Sequence, residues 1–105
     1  MRKTRLAPEA EVELREAASW YKERDPEVAR RFLGEARTVA GAIARRPLQF
    51  PVLIEPAMDP PIRRALFPRF PYAMIFLITD DVIHVLAVAH QYRAPGYWLY
   101  RITQS

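Results

Sequence analysis

Three side chains that can move a proton, hold an anion or stack on a ring stand close together. They are His90, Arg93 and Tyr97, in the run HVLAVAHQYRAPGYWLYR that begins at residue 84. Histidine exchanges a proton near neutrality. Arginine holds phosphate or carboxylate as a fixed cation, and a phenol transfers a proton or stacks on a base. Together they could supply a base, an acid and a cation to a group whose negative charge grows in a transition state. A second set, Arg63, Arg64, Arg69, Arg93, Trp98 and Arg101, can contact a nucleic acid or another target without doing chemistry. Each residue also has an architectural alternative. His90 can close the end of its strand, and Tyr97 and Trp98 are large amphipathic rings suited to pin a C-terminal tail across a sheet. Arg93 can bind a carboxylate or carbonyl in the turn signalled by Pro95-Gly96. His84 and His90 lie six residues apart, so an unbroken strand puts both on one face.

The elements that must position these residues are legible along the chain. Residues 3–6 predict a short first strand. Pro8 suits the first turn of a helix, and Glu9 and Glu11 suit its positive end. Ala10, Leu14, Ala17, Ala18 and Tyr21 then mark one helical face, with a break expected over residues 22–25. Asp25 reads as an N-cap, with Pro26 and Glu27 behind it. Ala29, Phe32, Leu33, Ala36, Val39, Ala40 and Ile43 form a second apolar face that ends at Pro47. Two amphipathic helices so closely joined pack as an antiparallel hairpin. Prolines 47, 51, 56, 60 and 61 predict a crossing loop, with a short extended piece at residues 52–54. Strands follow at 62–67, 72–78 and 82–89, joined by tight turns and hence antiparallel. The expected architecture is α+β: an N-terminal helical hairpin on one face of a twisted, mainly antiparallel sheet of about four strands. The last two strands are apolar on both faces, so the second face needs cover. A contiguous apolar surface of that kind normally marks an interface, and a homodimer or a partner protein is expected across strand 72–78 or 82–89.

Composition narrows the classes. The chain has 105 residues, enough for a single domain with one core. Half of them are apolar, which favours a globule over disorder. Cysteine is absent, which removes disulfide and thiolate chemistry. Two histidines and scattered carboxylates show no metal-ligand spacing, so neither a metal nor a cofactor is expected. No window approaches the roughly 18 apolar residues of a membrane span, and the basic start MRKTRLAPEAEVE has no apolar segment behind it. The cytoplasm is the expected location, with no membrane partner. The net charge is +4, and its excess sits in residues 1–7 and 60–105. A field that uneven favours a polyanion or an acidic protein.

The order of elements, together with IRRALFPRFPYAMIFLITDDVIHVLAVAHQYRAPGYW over residues 62–98, resembles the RelE/ParE superfamily of bacterial toxins, on its ParE-like, plasmid-stabilisation side. The resemblance implies a type II toxin–antitoxin module, in which a cognate antitoxin holds a small toxin inactive. It implies one of two activities, poisoning of DNA gyrase or cleavage of messenger RNA on the ribosome. The ribonuclease members usually carry an arginine just after the first strand turn and lysines in the strand before it. Here the stretch is Arg69-Phe70-Pro71-Tyr72-Ala73, and no lysine follows Lys22. Gyrase is therefore the expected target. A RelE-like endoribonuclease using His90, Arg93 and Tyr97 is the alternative, and a degenerate member that only binds its antitoxin is a second alternative. A homodimer or a toxin–antitoxin hetero-oligomer is the expected assembly.

Overall fold

The structure is a computed structural model and describes residues 2–53 and 57–104. Its elements run β1 (Lys3–Leu6), α1 (Pro8–Arg24), α2 (Pro26–Arg45), a 3-10 turn (Pro47–Gln49), β2 (Arg63–Leu66), β3 (Tyr72–Thr79), β4 (Val82–His90) and a C-terminal 3-10 segment (Leu99–Gln104). The α+β architecture is the expected one.

Both helices begin on a proline, where the missing N–H costs nothing. A single residue separates them. The backbone N–H of Asp25 donates to Tyr21 O at 2.7 Å and ends α1. Its carboxylate accepts from the Glu27 N–H at 3.0 Å and starts α2. The break expected over 22–25 therefore shrinks to Asp25. Lys22, Glu23 and Arg24 complete the last turn of α1, where basic side chains complement the helix dipole.

The sheet order is β1-β4-β3-β2, with β1 parallel to β4 and the other pairs antiparallel. The helical hairpin carries the chain from β1 at one edge to β2 at the other, and the meander brings β4 back beside β1. The two-residue turn between β3 and β4 uses Asp80 at φ 53°, a conformation that aspartate tolerates. Val52 forms an isolated bridge with Arg63 and Leu53 N–H donates to Ile62 O at 2.7 Å, as expected of an extended piece there. Ile54, the last residue of that piece, lies outside the described residues.

Between sheet and helices sits an aromatic core. Phe32 is fully buried, and its ring lies 5.2–5.6 Å from Tyr21, Phe67, Phe70 and Tyr72, within the range of attractive ring pairs. Ile43, Met74, Phe76, Ile83, Val85 and Val88 complete this layer.

The other sheet face corrects an expectation. It is not left open for a second molecule. Ile62, Ile75, Leu77, Leu86 and Ala87 are buried beneath the chain's own tail, with Trp98 inside the cluster and Leu53, Tyr97, Leu99 and Ile102 against it. Gly96 turns the tail back at φ 81°, where a side chain would be strained.

A register shift adds a second correction. Ile75 pairs with Ala87 and Phe76 with Val85, which leaves Leu86 as an extra residue in β4. This bulge reverses the alternation of faces. Ile83 and Val85 join the helix side before it, and Val88 does so after it. His84 and His90 consequently face opposite sides. His84 Nε2 lies 2.6 Å from Thr79 Oγ1 at the far end of the sheet, while His90 lines a groove against α1.

Candidate functional site

The groove opens where α1 crosses the end of β4. It holds about 620 Å³ and is lined by Glu13, Glu16, Ala17, Trp20 and Tyr21 of α1, Pro71 of the β2–β3 turn, Tyr72, Val88 and His90 of the sheet, and Arg93 and Tyr97 of the tail. Beyond Val85, where pairing with β1 stops, β4 is an open edge. Two backbone groups along that edge, the Leu86 carbonyl and the Val88 N–H, are met from outside the sheet. Two side chains meet them. Glu13 accepts from the Val88 N–H at 3.0 Å, and Arg101 donates to Leu86 O at 3.0 Å. The same two side chains pair with each other, Arg101 Nη1 to Glu13 Oε1 at 2.8 Å and Nη2 to Oε2 at 3.2 Å. The Tyr97 hydroxyl donates to Glu13 Oε2 as well. One carboxylate thus ties α1, the edge of β4 and both ends of the tail.

Electrostatics follow from that knot. Burial, then the hydrogen bond to Glu13 and its negative charge, push the Tyr97 phenol well above the usual tyrosine range, and nearby Arg101 and Arg93 offset only part. Burial works against the Arg101 charge, but the bonds to Glu13 and Tyr100 outweigh it and raise its affinity for the proton. Tyr97 is therefore a protonated donor to a carboxylate, a poor base and an occupied acid. The phenols of Tyr72 and Tyr21 are also raised, chiefly by burial.

His90 has its Nδ1 engaged. It accepts from the Tyr92 N–H at 3.1 Å, which leaves Nε2 as the protonated nitrogen of the neutral ring. The ring stands edge-on to Tyr72 at 5.0 Å and tilts against Tyr92 at 5.2 Å. Arg93 shares the groove and lies over the Tyr97 ring, 4.0 Å from its centre.

The remaining sequence candidates are not gathered here. Arg63 donates to the carbonyls of Leu48 at 3.3 Å and Phe50 at 2.8 Å, which fastens the 3-10 turn to β2. Arg64 is exposed on β2, two strands and hence about 10 Å of sheet away from β4. Arg69 lies exposed in the β2–β3 turn, where its backbone N–H donates to Glu35 Oε1 at 2.8 Å. Trp98 and Arg101 are 4% and 8% exposed and face inward. Sequence reasoning missed Glu13, the hub of the site. Its signal is positional: it stands three residues after fully buried Ala10 and four before buried Ala17, so a carboxylate sits at the border of an apolar stripe.

Chemically, the groove brings one histidine and one arginine together but surrounds them with rings and two carboxylates, Glu13 and Glu16. Among the described residues that line the groove, an RNA phosphate would meet one cation, Arg93, since Arg101 is already matched by Glu13.

Comparison with known proteins bears on the whole chain. Residues 4–95 match the family described as ParE toxin of type II toxin-antitoxin system, parDE. A comparison with curated protein sequences found no match. Among solved structures, one described as the chromosomal ParDE TA system from P. aeruginosa superposes with a TM-score of 0.72 at 16% sequence identity, covering 86% of this chain and 96% of that one. At that identity the likeness concerns the fold.

Proposed function

The chain belongs to the ParE toxin family of type II toxin–antitoxin systems, and from that membership we propose that it arrests growth by poisoning DNA gyrase rather than by cutting messenger RNA. As a ParE-type toxin it has an antitoxin as partner. The observation that carries the choice of target is the state of Tyr97. Its hydroxyl is committed to Glu13, so of the three catalytic candidates only His90 and Arg93 face the groove with free polar atoms. General catalysis needs a base and an acid at hydrogen-bond range of the reacting atoms, about 2.6–3.2 Å. Of the arginines that could hold a phosphate for them, Arg93 lines the groove, while Arg64 stands on β2, two strands from β4, and Arg69 in the β2–β3 turn outside the lining. The toxin then works by contact. Arg64, Arg69 and Arg93 are the exposed cations of the target surface, whereas Arg63, Trp98 and Arg101 shape it from within. The action is cytoplasmic, where the gyrase is.

Expression in a growing bacterial culture tests this. Growth should stop, and the product of the neighbouring antitoxin gene should restore it. His90→Ala should arrest growth as the parent does, because the toxin itself makes no proton transfer. Loss of arrest in a folded His90→Ala protein would favour the ribonuclease reading. No arrest by the parent at high expression would leave a protein that only binds its antitoxin.

A further inference from the structure

The solvent face of α2 is strongly basic and poorly accounted for by the fold. Ala29, Phe32, Ala36, Val39 and Ile43 bury one side of the helix. At about 3.6 residues per turn, the opposite side carries Arg30, Arg31, Arg37 and Arg45, all exposed. The acids of α2 do not balance them. Glu27 pairs with Arg30 at the surface, an arrangement easily exchanged for another partner. Glu35 turns to the far flank and accepts from the Arg69 N–H. Arg31, Arg37 and Arg45 meet no carboxylate among the described residues.

Between these arginines the helix is unusually bare. Gly34 and Gly41 lie near the middle of the exposed face, with Thr38 between them. Its hydroxyl is folded down onto Gly34 O at 3.1 Å. Glycine inside a helix is destabilising relative to alanine. Nothing within the chain asks for it at either position. A Cβ at residue 34 would meet nothing within 4 Å, and one at residue 41 only the flexible end of Arg45 at 3.2 Å. A bare backbone does serve the close approach of a second backbone. Gly34 and Thr38 stand four residues apart and Gly41 three further on, a shallow trough along the rows by which helices interlock. The arginines flank that trough for some 22 Å, from about fifteen residues at 1.5 Å each.

We propose that this face of α2 is a docking surface for an acidic helix of the antitoxin, seated in the Gly34–Thr38–Gly41 trough and held by Arg30, Arg31, Arg37 and Arg45. The proposal rests on the toxin–antitoxin reading above and adds the surface and the chemistry of the partner. Charge decides the partner's sign, since guanidinium forks pair bidentately with carboxylates. The trough decides its shape. A nucleic acid backbone would be held by the arginines alone and has no use for two glycines in a row of helix turns.

The test uses the full chain and the product of the neighbouring antitoxin gene, with affinity measured by titration calorimetry at two salt concentrations. Gly34→Leu and Gly41→Leu should melt no lower than the parent, because both raise helix propensity at open positions, yet each should weaken the complex about tenfold or more. Arg37→Glu combined with Arg45→Glu should weaken it at least as much and flatten its salt dependence. This second variant holds the test open should leucine disturb the helix. Unchanged affinity in both the leucine and the glutamate variants would overturn the proposal and leave the toxin assignment standing. So would loss of binding to duplex DNA with the antitoxin complex intact, which would make the face a nucleic-acid surface. Failure of the parent chain to bind the antitoxin at all would overturn the module reading and this inference with it.

Discussion

Replacing Glu13 by alanine removes the acceptor for the Val88 N–H, the Tyr97 hydroxyl and both terminal nitrogens of Arg101. The pair is sheltered, with the Arg101 and Glu13 side chains 7% and 14% exposed. Removing one member of a buried, hydrogen-bonded pair costs about 3–5 kcal/mol, since the survivor stays charged and unmatched. A domain of this size is held by roughly 5–15 kcal/mol in total, so Glu13→Ala consumes a large share. At about 4 °C per kcal/mol for a domain of this length, the melting temperature should fall by about 12–20 °C. Arg101→Ala should cost somewhat less, because the Glu13 carboxylate, though it loses its cation, keeps the Val88 N–H and the Tyr97 hydroxyl as donors. The double variant Glu13→Ala with Arg101→Ala should lose clearly less than the two single losses combined, leaving a coupling of about 2 kcal/mol. Calorimetric melts of the four proteins decide it. A single-variant loss below about 1 kcal/mol, the value of an exposed ion pair, would refute the reasoning, as would simple additivity in the double variant.

Three further outcomes follow from the same structure. The phenols of Tyr97, Tyr72 and Tyr21 are raised above their ordinary value, so their protonated forms favour the folded state. That contribution is complete below the unfolded tyrosine value of about 10 and is lost as pH rises beyond it. The urea midpoint should hold to about pH 10 and then fall, and Tyr97→Phe should blunt the fall. Phe32→Ala empties the centre of the aromatic cluster and should cost about 3–5 kcal/mol in urea unfolding. A chain ending at residue 95 keeps the family-matched segment but loses Trp98, Leu99, Arg101 and Ile102. It should expose the face around Ile75, Leu77 and Leu86, bind an apolar dye and aggregate in a light-scattering assay.

Prolines and caps made much of the fold legible in the sequence. Pro8 and Pro26 mark the two helix starts, Asp25 the joint and Pro47 the stop. What stayed hidden had physical causes. Lys22, Glu23 and Arg24 carry no apolar period, so the last turn of α1 looked like a break. The bulge at Leu86 falls in a run of Leu, Ala and Val that is apolar on both faces, so no alternation existed for it to interrupt. With it the shared face of His84 and His90 was lost. The apolar second face needs cover, and Tyr97 and Trp98 mark the tail that supplies it, but the mixed character of WLYRIT shows no period that tells how far along the sheet the cover runs. Glu13 was the deepest omission, because its partners Val88 and Arg101 lie 75 and 88 residues away, and no local pattern reports a contact of that span.

The central claim, a toxin that acts by contact on gyrase with no proton transfer of its own, is tested most directly by one paired assay. The purified chain and its His90→Ala variant are each mixed with gyrase and relaxed plasmid, and in parallel with programmed ribosomes carrying labelled messenger. Both proteins should block supercoiling or trap cleaved plasmid at similar concentrations and leave the messenger whole. Messenger cut at codon-linked positions by the parent, and spared by the variant, with gyrase unaffected by either, would contradict it.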